Sequence, residues 1–156
     1  MGCEMISIRA LEPDDVGVVL DMEQANQPHP WTEGMFNDEL SAENRTYLVA
    51  EDDSVVGFGG VMIIGDEAHI TNLLVHPDRR GEGIGKRLMT ELMTASVVEG
   101  ARHMTLEVRS QNVAGRALYA GLGFAPVGVR PKYYADDDAL ILWLHDIDRL
   151  NTVKTL

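Results

Sequence analysis

The chain has 156 residues, 45% of them hydrophobic and 24% charged, which is typical of one soluble globular domain. Its formal net charge of −12 at pH 7 argues against nucleic acid as a partner, since nucleic-acid binding requires a basic face. No apolar run approaches the roughly 20 residues that a membrane-spanning helix needs, so no membrane partner is predicted. The single cysteine, Cys3, leaves no internal disulfide and fits a reducing cytoplasm.

We therefore expect one cytoplasmic domain over residues 1–156, as a monomer or weak homodimer. Residues 147–156 are candidates for a disordered tail, because the end of the chain lacks periodicity. The acidic composition has two interpretations. It attracts cationic substrates such as amines or basic peptides, or it only keeps the protein soluble.

The first half of the chain predicts two helices between a short strand and an antiparallel pair of strands. Two prolines in residues 28–32 halt the first helix, and Thr32 can cap the second. Trp31, between these helices, is either a core side chain or the wall of a substrate cleft. Gly57, Gly59 and Gly60 indicate a bulge or a close backbone approach in the last strand. The predicted elements are a strand at residues 5–10, a helix from Pro13, a helix from Thr32 to about Leu40, and strands at residues 46–50 and 55–64.

A strand, a glycine loop and a helix follow one another in residues 70–93. Residues 70–75 are rich in branched apolar side chains, which favours a strand, and Pro77 ends it. Three glycines alternate with other residues from Gly81, and apolar residues then recur every four positions from Ile84, as in a helix. This order exposes backbone N–H groups and the positive end of the helix dipole to one small volume, where a phosphate would be stabilised.

The spacing of this loop excludes two common phosphate-binding motifs. Arg80 stands where a Walker A loop has its first glycine, and Arg87 stands where it has its Mg²⁺-binding hydroxyl. The glycines also fail the G-x-G-x-x-G spacing of dinucleotide-binding loops. The pattern that fits is Arg80-x-x-Gly83-x-Gly85, which resembles the pyrophosphate loop of the GCN5-related N-acetyltransferases (the GNAT family), where it binds coenzyme A. The alternative is a glycine-rich turn before an ordinary helix.

The second half of the chain predicts a strand, a helix and two further strands. Met104, Leu106 and Val108 alternate with polar residues, which predicts a strand with one apolar face. Strands and helices in alternation predict a mixed α/β sheet with a parallel pair at its centre. The remaining predicted elements are a helix from Asn112 that closes at Gly123, strands at residues 124–129 and 139–145, and a loop at residues 131–137.

Three further motifs resemble the same family. An L-E-V-R-x-x-N run begins at Leu106, an A…L-Y-x-x-x-G-F run begins at Ala114, and the pair Tyr133 and Tyr134 follows a basic stretch. The resemblance covers roughly residues 6–146, and in particular it points to members that acetylate the N-terminal alanine of a ribosomal protein. It implies the GNAT fold, an α/β fold with a mixed central β-sheet of about six to seven strands flanked by about four helices.

Two residues are candidates for the chemistry. Glu107 faces away from the apolar side of its strand, where a carboxylate is costly unless it is paired or faces a cavity. An amine arrives mostly as ammonium, and a carboxylate can remove its proton, so Glu107 is the predicted general base. The alternative is an ion pair with Arg109 or with a neighbouring strand. By resemblance, Tyr119 is the acid that protonates the departing thiolate, and the alternative is a core aromatic side chain.

The resemblance also implies binding roles. Asn112 would hold the pantetheine arm, and it shares a helix face about 10 Å long with Tyr119. Trp31, Tyr133 and Tyr134 would form the peptide cleft. No metal is predicted, because the five histidines lack ligand-like spacing. The predicted acetyl-CoA contacts are the backbone amides of Leu73, Leu74 and Val75, the loop residues Arg80, Gly81, Glu82, Gly83, Ile84, Gly85 and Lys86, and Asn112.

The predicted function is that of a cytoplasmic N-acetyltransferase with acetyl-CoA as its cosubstrate. Transfer to the amine would be direct, because no cysteine or serine sits where an acyl-enzyme would form. The expected acceptor is the N-terminal peptide of a basic protein, in particular a ribosomal protein that begins with alanine. Two alternatives remain open: a GNAT enzyme that acetylates a small-molecule amine, and a CoA-binding module without turnover.

Overall fold

Seven β-strands and four α-helices make up the computed structural model, which describes residues 6–27, 30–134 and 136–150. These numbers confirm the predicted α/β class with six to seven strands and about four helices. The strands are β1 Ser7–Ala10, β2 Arg45–Asp52, β3 Ser54–Ile64, β4 Glu67–Val75, β5 His103–Arg109, β6 Ala125–Tyr134 and β7 Asp137–His145. The helices are α1 Val16–Asn26, α2 Glu33–Ser41, α3 Ile84–Val98 and α4 Val113–Gly121, with short 3-10 helices at Pro13–Asp15, Pro77–Arg79 and Ile147–Arg149.

The strands form one mixed sheet in the order β1-β2-β3-β4-β5-β7-β6. β4 and β5 run parallel, with Glu67 opposite His103, whereas β7 runs antiparallel to both β5 and β6. The parallel pair was predicted, because a strand, a helix and a second strand follow one another here and parallel strands need such a crossover. Within the described residues, β1 and β6 are the two edge strands of this sheet.

The chain divides into two compact units. The first comprises Met1–Met62 and Thr71–Leu92, and the second comprises Ile63–Ile70 and Met93–Leu156. The single domain over residues 1–156 stays a prediction.

The core of the first unit forms where α1 and α2 pack on β2 and β3. Phe36 of α2 is fully buried, and its ring centroid lies 5.8 Å from that of Phe58. Helix α2 begins at the predicted cap, because the Thr32 hydroxyl oxygen accepts a hydrogen bond from the Met35 N–H. The buried residues of this core are Val19, Leu20, Met22, Phe36, Val49, Phe58 and Leu74.

Two glycines of β3 allow neighbouring elements to approach its backbone. A Cβ atom at Gly59 would lie 2.9 Å from the Leu92 Cδ1 atom, and one at Gly57 would lie 3.1 Å from the Leu74 carbonyl oxygen. Both distances are shorter than an ordinary contact between non-bonded atoms. The structure therefore supports close approach, and the register shift between Ala50 and Glu51, which pair with Gly57 and Val55, also supports a bulge beside Gly57.

Strand β6 of the second unit is longer than its sequence predicts. It was expected to end at residue 129, but it continues through Tyr134 and pairs with β7, which begins at Asp137. The predicted loop at residues 131–137 is therefore wrong for most of its length. The local signal was misleading, because Lys132 has a left-handed φ of 54° and the register shifts between Arg130 and Tyr134. Most side chains of this edge strand are also exposed, so they show no apolar alternation.

The predicted disordered tail is wrong at its start, where the second unit is ordered. Ile147–Arg149 forms a 3-10 helix, and the Ile147 side chain is fully buried, so a disordered tail cannot begin at residue 147. Residues 151–156, which the tail prediction also covers, lie outside the described residues. Among the helices of the described ranges, none is long and apolar enough to cross a membrane.

Candidate active site

The glycine loop of the first unit joins β4 to α3 through the 3-10 helix Pro77–Arg79. Gly81 and Gly83 have φ angles of 81° and 80°, in the left-handed region that side chains disfavour. Helix α3 begins directly after them, and the Arg87 N–H donates to the Gly83 carbonyl. The first N–H groups of a helix have no partner within it, so this helix start is suited to binding an anion.

Ion pairs hold the charged side chains beside the loop. Arg79 lies 2.9 Å from the Asp52 carboxylate and 3.0 Å from the Glu82 carboxylate. The hydrogen bonds from Arg79 lower the pKa of Glu82, so this side chain stays ionised with its charge shared. The Arg80 guanidinium is exposed and donates to the Val75 carbonyl at 3.3 Å. The motif singled out Arg80 and missed Arg79, because a spacing rule does not tell which of two adjacent arginines is paired.

Among the other predicted CoA contacts in this unit, the buried residues can bind a ligand only through their main-chain groups. The remaining residues lie partly or fully at the surface. The Ile84 and Leu74 side chains are buried in the core, so a ligand could reach only their main-chain groups. Leu73 and Val75 are half-buried, Gly85 has no side chain to offer, and Lys86 is exposed. The cofactor roles of these residues stay predictions.

The buried carboxylate of Glu23 holds the segment that contains Trp31 in place through hydrogen bonds. Glu23 of α1 is 2% exposed, and it accepts hydrogen bonds from the Asn72 side-chain amide at 2.9 Å and the Trp31 N–H at 3.1 Å. The Trp31 ring packs edge-on against Phe36 at 5.5 Å between centroids, in agreement with the core interpretation. The substrate role of Trp31 stays a prediction. Sequence reasoning missed Glu23, although an acid on the apolar face of α1 was the available signal.

The predicted base, Glu107, lies on β5 of the second unit with an ion pair to β6. Its side chain is 16% exposed, and its Oε2 atom lies 3.2 Å from the Arg130 Nε atom. That Oε2 atom is buried and accepts no hydrogen bond, because the Arg130 N–H groups are not directed at it. Glu107 is thus ion-paired, but with a residue of β6, which β7 separates from β5, rather than with Arg109 or an adjacent strand, and the contact leaves an oxygen unsatisfied.

Arg109, the other candidate partner of Glu107, is bound elsewhere. Its guanidinium lies 2.6 Å from the Asp136 carboxylate and 4.1 Å from the centroid of the Tyr134 ring. Burial raises the pKa of Tyr134, and the nearby charge of Glu107 raises it further. Tyr134 therefore stays protonated and lies within electrostatic reach of the predicted base.

Asn112 lies directly before α4 as its cap, and Tyr119 lies in the last turn of this helix. Tyr119 is buried, and its ring packs edge-on against Phe124 at 5.9 Å between centroids. Burial raises the pKa of the Tyr119 phenol to about 12, with a smaller contribution from Tyr134, so the phenol keeps its proton at neutral pH. The Asn112 side-chain oxygen accepts a hydrogen bond from the Gly115 N–H and caps the helix. This cap fixes the orientation of the Asn112 amide, whose role toward pantetheine stays a prediction.

The predicted tyrosine pair lies at the end of β6. The Tyr133 and Tyr134 rings meet edge-on at 5.2 Å between centroids, and Tyr133 is more than half exposed. Lys132, just before them, is held by its N–H, which donates to the Asp138 carboxylate at 2.8 Å. An exposed phenol beside a half-buried one can contact a polar ligand and pack on its apolar part.

A metal centre has no support in the part of the chain that the structure describes. There, no three His, Cys, Asp or Glu side chains are placed together to hold a metal ion. The ionisable groups of the site are carboxylates, guanidinium groups and phenols, which suit proton transfer and ion pairing.

Comparisons with known proteins agree on one family. A model described as the acetyltransferase (GNAT) family matches residues 17–124 of this chain. The ribosomal protein bS18-alanine N-acetyltransferase of Escherichia coli (strain K12) is 30% identical over 144 residues, which cover 90% of this chain and 97% of that protein. A Bacillus subtilis (strain 168) protein, whose name assigns it the same activity provisionally, is 36% identical over 143 residues, 88% of this chain and 94% of that protein.

Solved structures give the same result for the fold. A crystal structure of the ribosomal-protein-S18-alanine N-acetyltransferase from Escherichia coli superposes with a TM-score of 0.84 at 29% identity, covering 97% of this chain and 100% of that chain. Arabidopsis thaliana NAA60 in complex with acetyl-CoA superposes with a TM-score of 0.82 at 18% identity, covering 90% and 98% of the two chains. At 18% identity, this second likeness shows the fold alone.

Proposed function

The chain belongs to the acetyltransferase (GNAT) family and is an N-acetyltransferase, and we propose that it acetylates the N-terminal amine of a ribosomal protein. The support for this acceptor is that relatives 30% and 36% identical over 90% and 88% of the chain are named for an alanine of ribosomal protein bS18. The proposed substrate is therefore a protein N-terminus that begins with alanine. Such an acceptor also implies a cytoplasmic reaction.

The chemical step follows from the ionisable residues of the second unit. Acetyl-CoA supplies an acetyl group activated as a thioester. Glu107 removes a proton from the acceptor ammonium, and the free amine attacks the carbonyl carbon. The new C–N bond forms as the C–S bond breaks, and Tyr119 gives its proton to the departing thiolate. The acetylated nitrogen loses its second proton, which restores the Tyr119 phenol, and the proton on Glu107 leaves to solvent. The products are an N-acetylated peptide, a free thiol and one proton, so protons and electrons balance without an acyl-enzyme.

The observation that carries these roles is the contrast between the two side chains. Glu107 is a half-buried carboxylate with an oxygen that accepts no hydrogen bond, so it has an unused site for a proton donor such as an ammonium. Tyr119 is a buried phenol whose raised pKa keeps it protonated where an acid is required. One group is ready to accept a proton and the other to donate one.

Cofactor binding is proposed for the glycine loop of the first unit. The left-handed Gly81 and Gly83 and the start of α3 fit a pyrophosphate, which backbone N–H groups and a helix dipole stabilise. The Glu82 carboxylate, which would repel this group, is instead paired with Arg79. We assign the backbone of residues 81–86 to the pyrophosphate of acetyl-CoA.

The acceptor class can be tested by competition. A basic peptide that begins with alanine, its Nα-acetylated twin and a polyamine are offered at equal concentration with acetyl-CoA, and free thiol is measured. We expect the unmodified peptide to be acetylated fastest and its acetylated twin not to react. Faster use of the polyamine would assign the enzyme to small-molecule amines, and no thiol release with any amine would leave a CoA-binding module.

The role of Glu107 can be tested with Glu107→Gln. This variant should keep the affinity for CoA but lose turnover by roughly a hundredfold, most at low pH, where the amine is most protonated. The matched control is Glu99→Gln, which changes the same charge at an exposed position after α3. Turnover equal to wild type in Glu107→Gln between about pH 6 and 9 would remove Glu107 from the mechanism.

A further inference from the structure

We propose that Arg130 is a displaceable counter-ion of Glu107, and that the α-ammonium group of the acceptor takes its place on the carboxylate. This inference rests on the proposed function, in which Glu107 is the base, and it states how the same site selects its acceptor. Arg130 is thereby a positioning residue, since it acts on the acceptor through Glu107.

The contact between these residues is close but incomplete. The Arg130 side chain is 55% exposed, whereas that of Glu107 is only 16% exposed. At 3.2 Å, the Arg130 Nε atom neutralises the carboxylate without a hydrogen bond to its Oε2 atom. A buried acceptor atom is normally hydrogen-bonded, so this unsatisfied oxygen can accept a hydrogen bond from a ligand.

A primary ammonium is the better partner for this oxygen. It carries three donors on a compact head, and one of them can be directed at a single carboxylate oxygen. Little free energy is lost when the guanidinium leaves, because an ion pair with a mostly exposed arginine contributes little to stability. The exchange also keeps a cation on the buried carboxylate throughout, which avoids the cost of an unpaired buried charge.

The surroundings of Arg130 allow it to move while Arg109 stays. Arg130 lies on an edge strand just before the register shift that ends at Tyr134, and its guanidinium is 5.6 Å from the exposed Tyr133 ring, on which it can rest when displaced. Arg109 is only 19% exposed and is fixed by Asp136 and Tyr134. Of the two arginines, only Arg130 suits a displaceable role.

The exchange makes binding depend on the charge that the reaction removes. The acceptor enters as an ammonium and leaves as an amide, which carries no charge. Arg130 can then return to Glu107, so the product competes poorly for the site. An N-terminus that is already acetylated should be rejected for the same reason.

Calorimetry with wild type and three variants tests the exchange without turnover. The ligands are a peptide that begins with alanine and its Nα-acetylated twin, each with CoA present. Arg130→Met should bind the unmodified peptide roughly two- to fivefold more tightly than wild type and leave the weak binding of the twin unchanged. Arg130→Lys should resemble wild type. Arg102→Met is the matched control, because its side chain is 51% exposed and pairs with Asp148 at 4.0 Å, so it should change neither affinity.

Steady-state kinetics provide a second readout, which a merely structural role of Arg130 would not give. The other ionisable groups near Glu107 in this unit, Tyr134 on β6 and Arg109 on β5, are the same in both proteins. Arg130→Met should lower the KM for the unmodified peptide by roughly two- to fivefold and leave kcat unchanged, because the counter-ion leaves the carboxylate when the acceptor binds.

Three results would overturn the exchange: an unchanged peptide KM in Arg130→Met, an unchanged peptide affinity, or weaker peptide binding, which would make Arg130 a direct peptide ligand. The proposed function is judged separately. Thiol release by wild type with the peptide supports that function whatever Arg130 does, and its absence rejects that function while the calorimetry still reports on the ion pair.

Discussion

The glycine loop and strand β6 differ in which part of the chain they offer to a ligand. In the loop, Arg79 holds the neighbouring carboxylates in ion pairs, and the left-handed Gly81 and Gly83 leave the backbone as the surface proposed to bind. In β6 the side chains are the available groups, because Arg130 and Tyr133 are more than half exposed.

This difference matches what each region is proposed to bind. A pyrophosphate has the same charge before and after the reaction, so a backbone fixed in one conformation can bind it. The acceptor amine loses its charge in the reaction, and side chains that change partners can respond to that loss. Substitutions in the two regions should therefore have different signatures.

The largest expected effect is the loss of CoA binding in Gly83→Asp. A side chain in the left-handed region costs about 1–2 kcal/mol, and the added carboxylate would repel a pyrophosphate. The matched control is Gly65→Asp, which adds the same charge at a φ of 61° with open space around it. Calorimetry should show CoA affinity at least about a hundredfold weaker in Gly83→Asp and unchanged in Gly65→Asp. Normal affinity in Gly83→Asp would remove the loop from the proposed site.

The next effect is a fall in kcat of about a hundredfold in Tyr119→Phe, with CoA affinity retained. An acid loses activity as the pH rises through its pKa, and burial raises this pKa to about 12. Wild type should therefore show no loss of rate from Tyr119 below about pH 9. Tyr47→Phe is the control, since it removes another buried phenol, which donates to Glu39. It should lower stability and leave kcat unchanged, and equal kcat in all three proteins would contradict the acid role.

A smaller effect is expected in Glu23→Ala, which removes two hydrogen bonds to a buried carboxylate. The free energy of unfolding should fall by about 1–3 kcal/mol, because the Trp31 N–H and the Asn72 amide lose their acceptor. Peptide KM should rise more than acetyl-CoA KM, because the loosened segment carries the predicted cleft residue. Gln24→Ala, the exposed neighbour, is the control in urea unfolding and kinetics. A uniform rise of both KM values would argue against an acceptor role for this segment.

The smallest effect on CoA affinity should come from Glu82→Gln, a substitution one residue before Gly83. Its side chain is 30% exposed and its carboxylate is paired with Arg79, and its charge is not required by a backbone site. CoA affinity should change by less than about twofold in the same calorimetric titration. A loss beyond about tenfold would mean that loop side chains, as well as the backbone, determine cofactor binding.

Features that depend on local order were predictable from the sequence. The run of strand, glycines and helix predicted the loop before α3, Thr32 was identified as the cap of α2, and the alternation of β5 put Glu107 opposite the buried residues. Each of these features follows from a few consecutive residues, because helix and strand periods are properties of short segments.

Side-chain contacts between residues that are distant along the chain could not be predicted in the same way. Glu107 and Arg130 lie on strands β5 and β6 with β7 between them, so only the strand order and register bring them together. Glu23 was visible as an acid on an apolar helix face, but its partner Asn72 lies on β4. Strand β6 itself was predicted too short, since an exposed edge lacks the apolar alternation that marks a buried strand.

The position of β6 at the edge of the sheet also bears on how the protein behaves at high concentration. An edge strand with exposed valines, here Val127 and Val129, invites strands of other molecules to add to it and start aggregates. Pro126 and Pro131 have no N–H to donate to such a strand, and the left-handed Lys132 interrupts its ladder. The strand that carries the residues proposed to contact the acceptor is thereby protected against intermolecular β-pairing, and its side chains stay available for that proposed role.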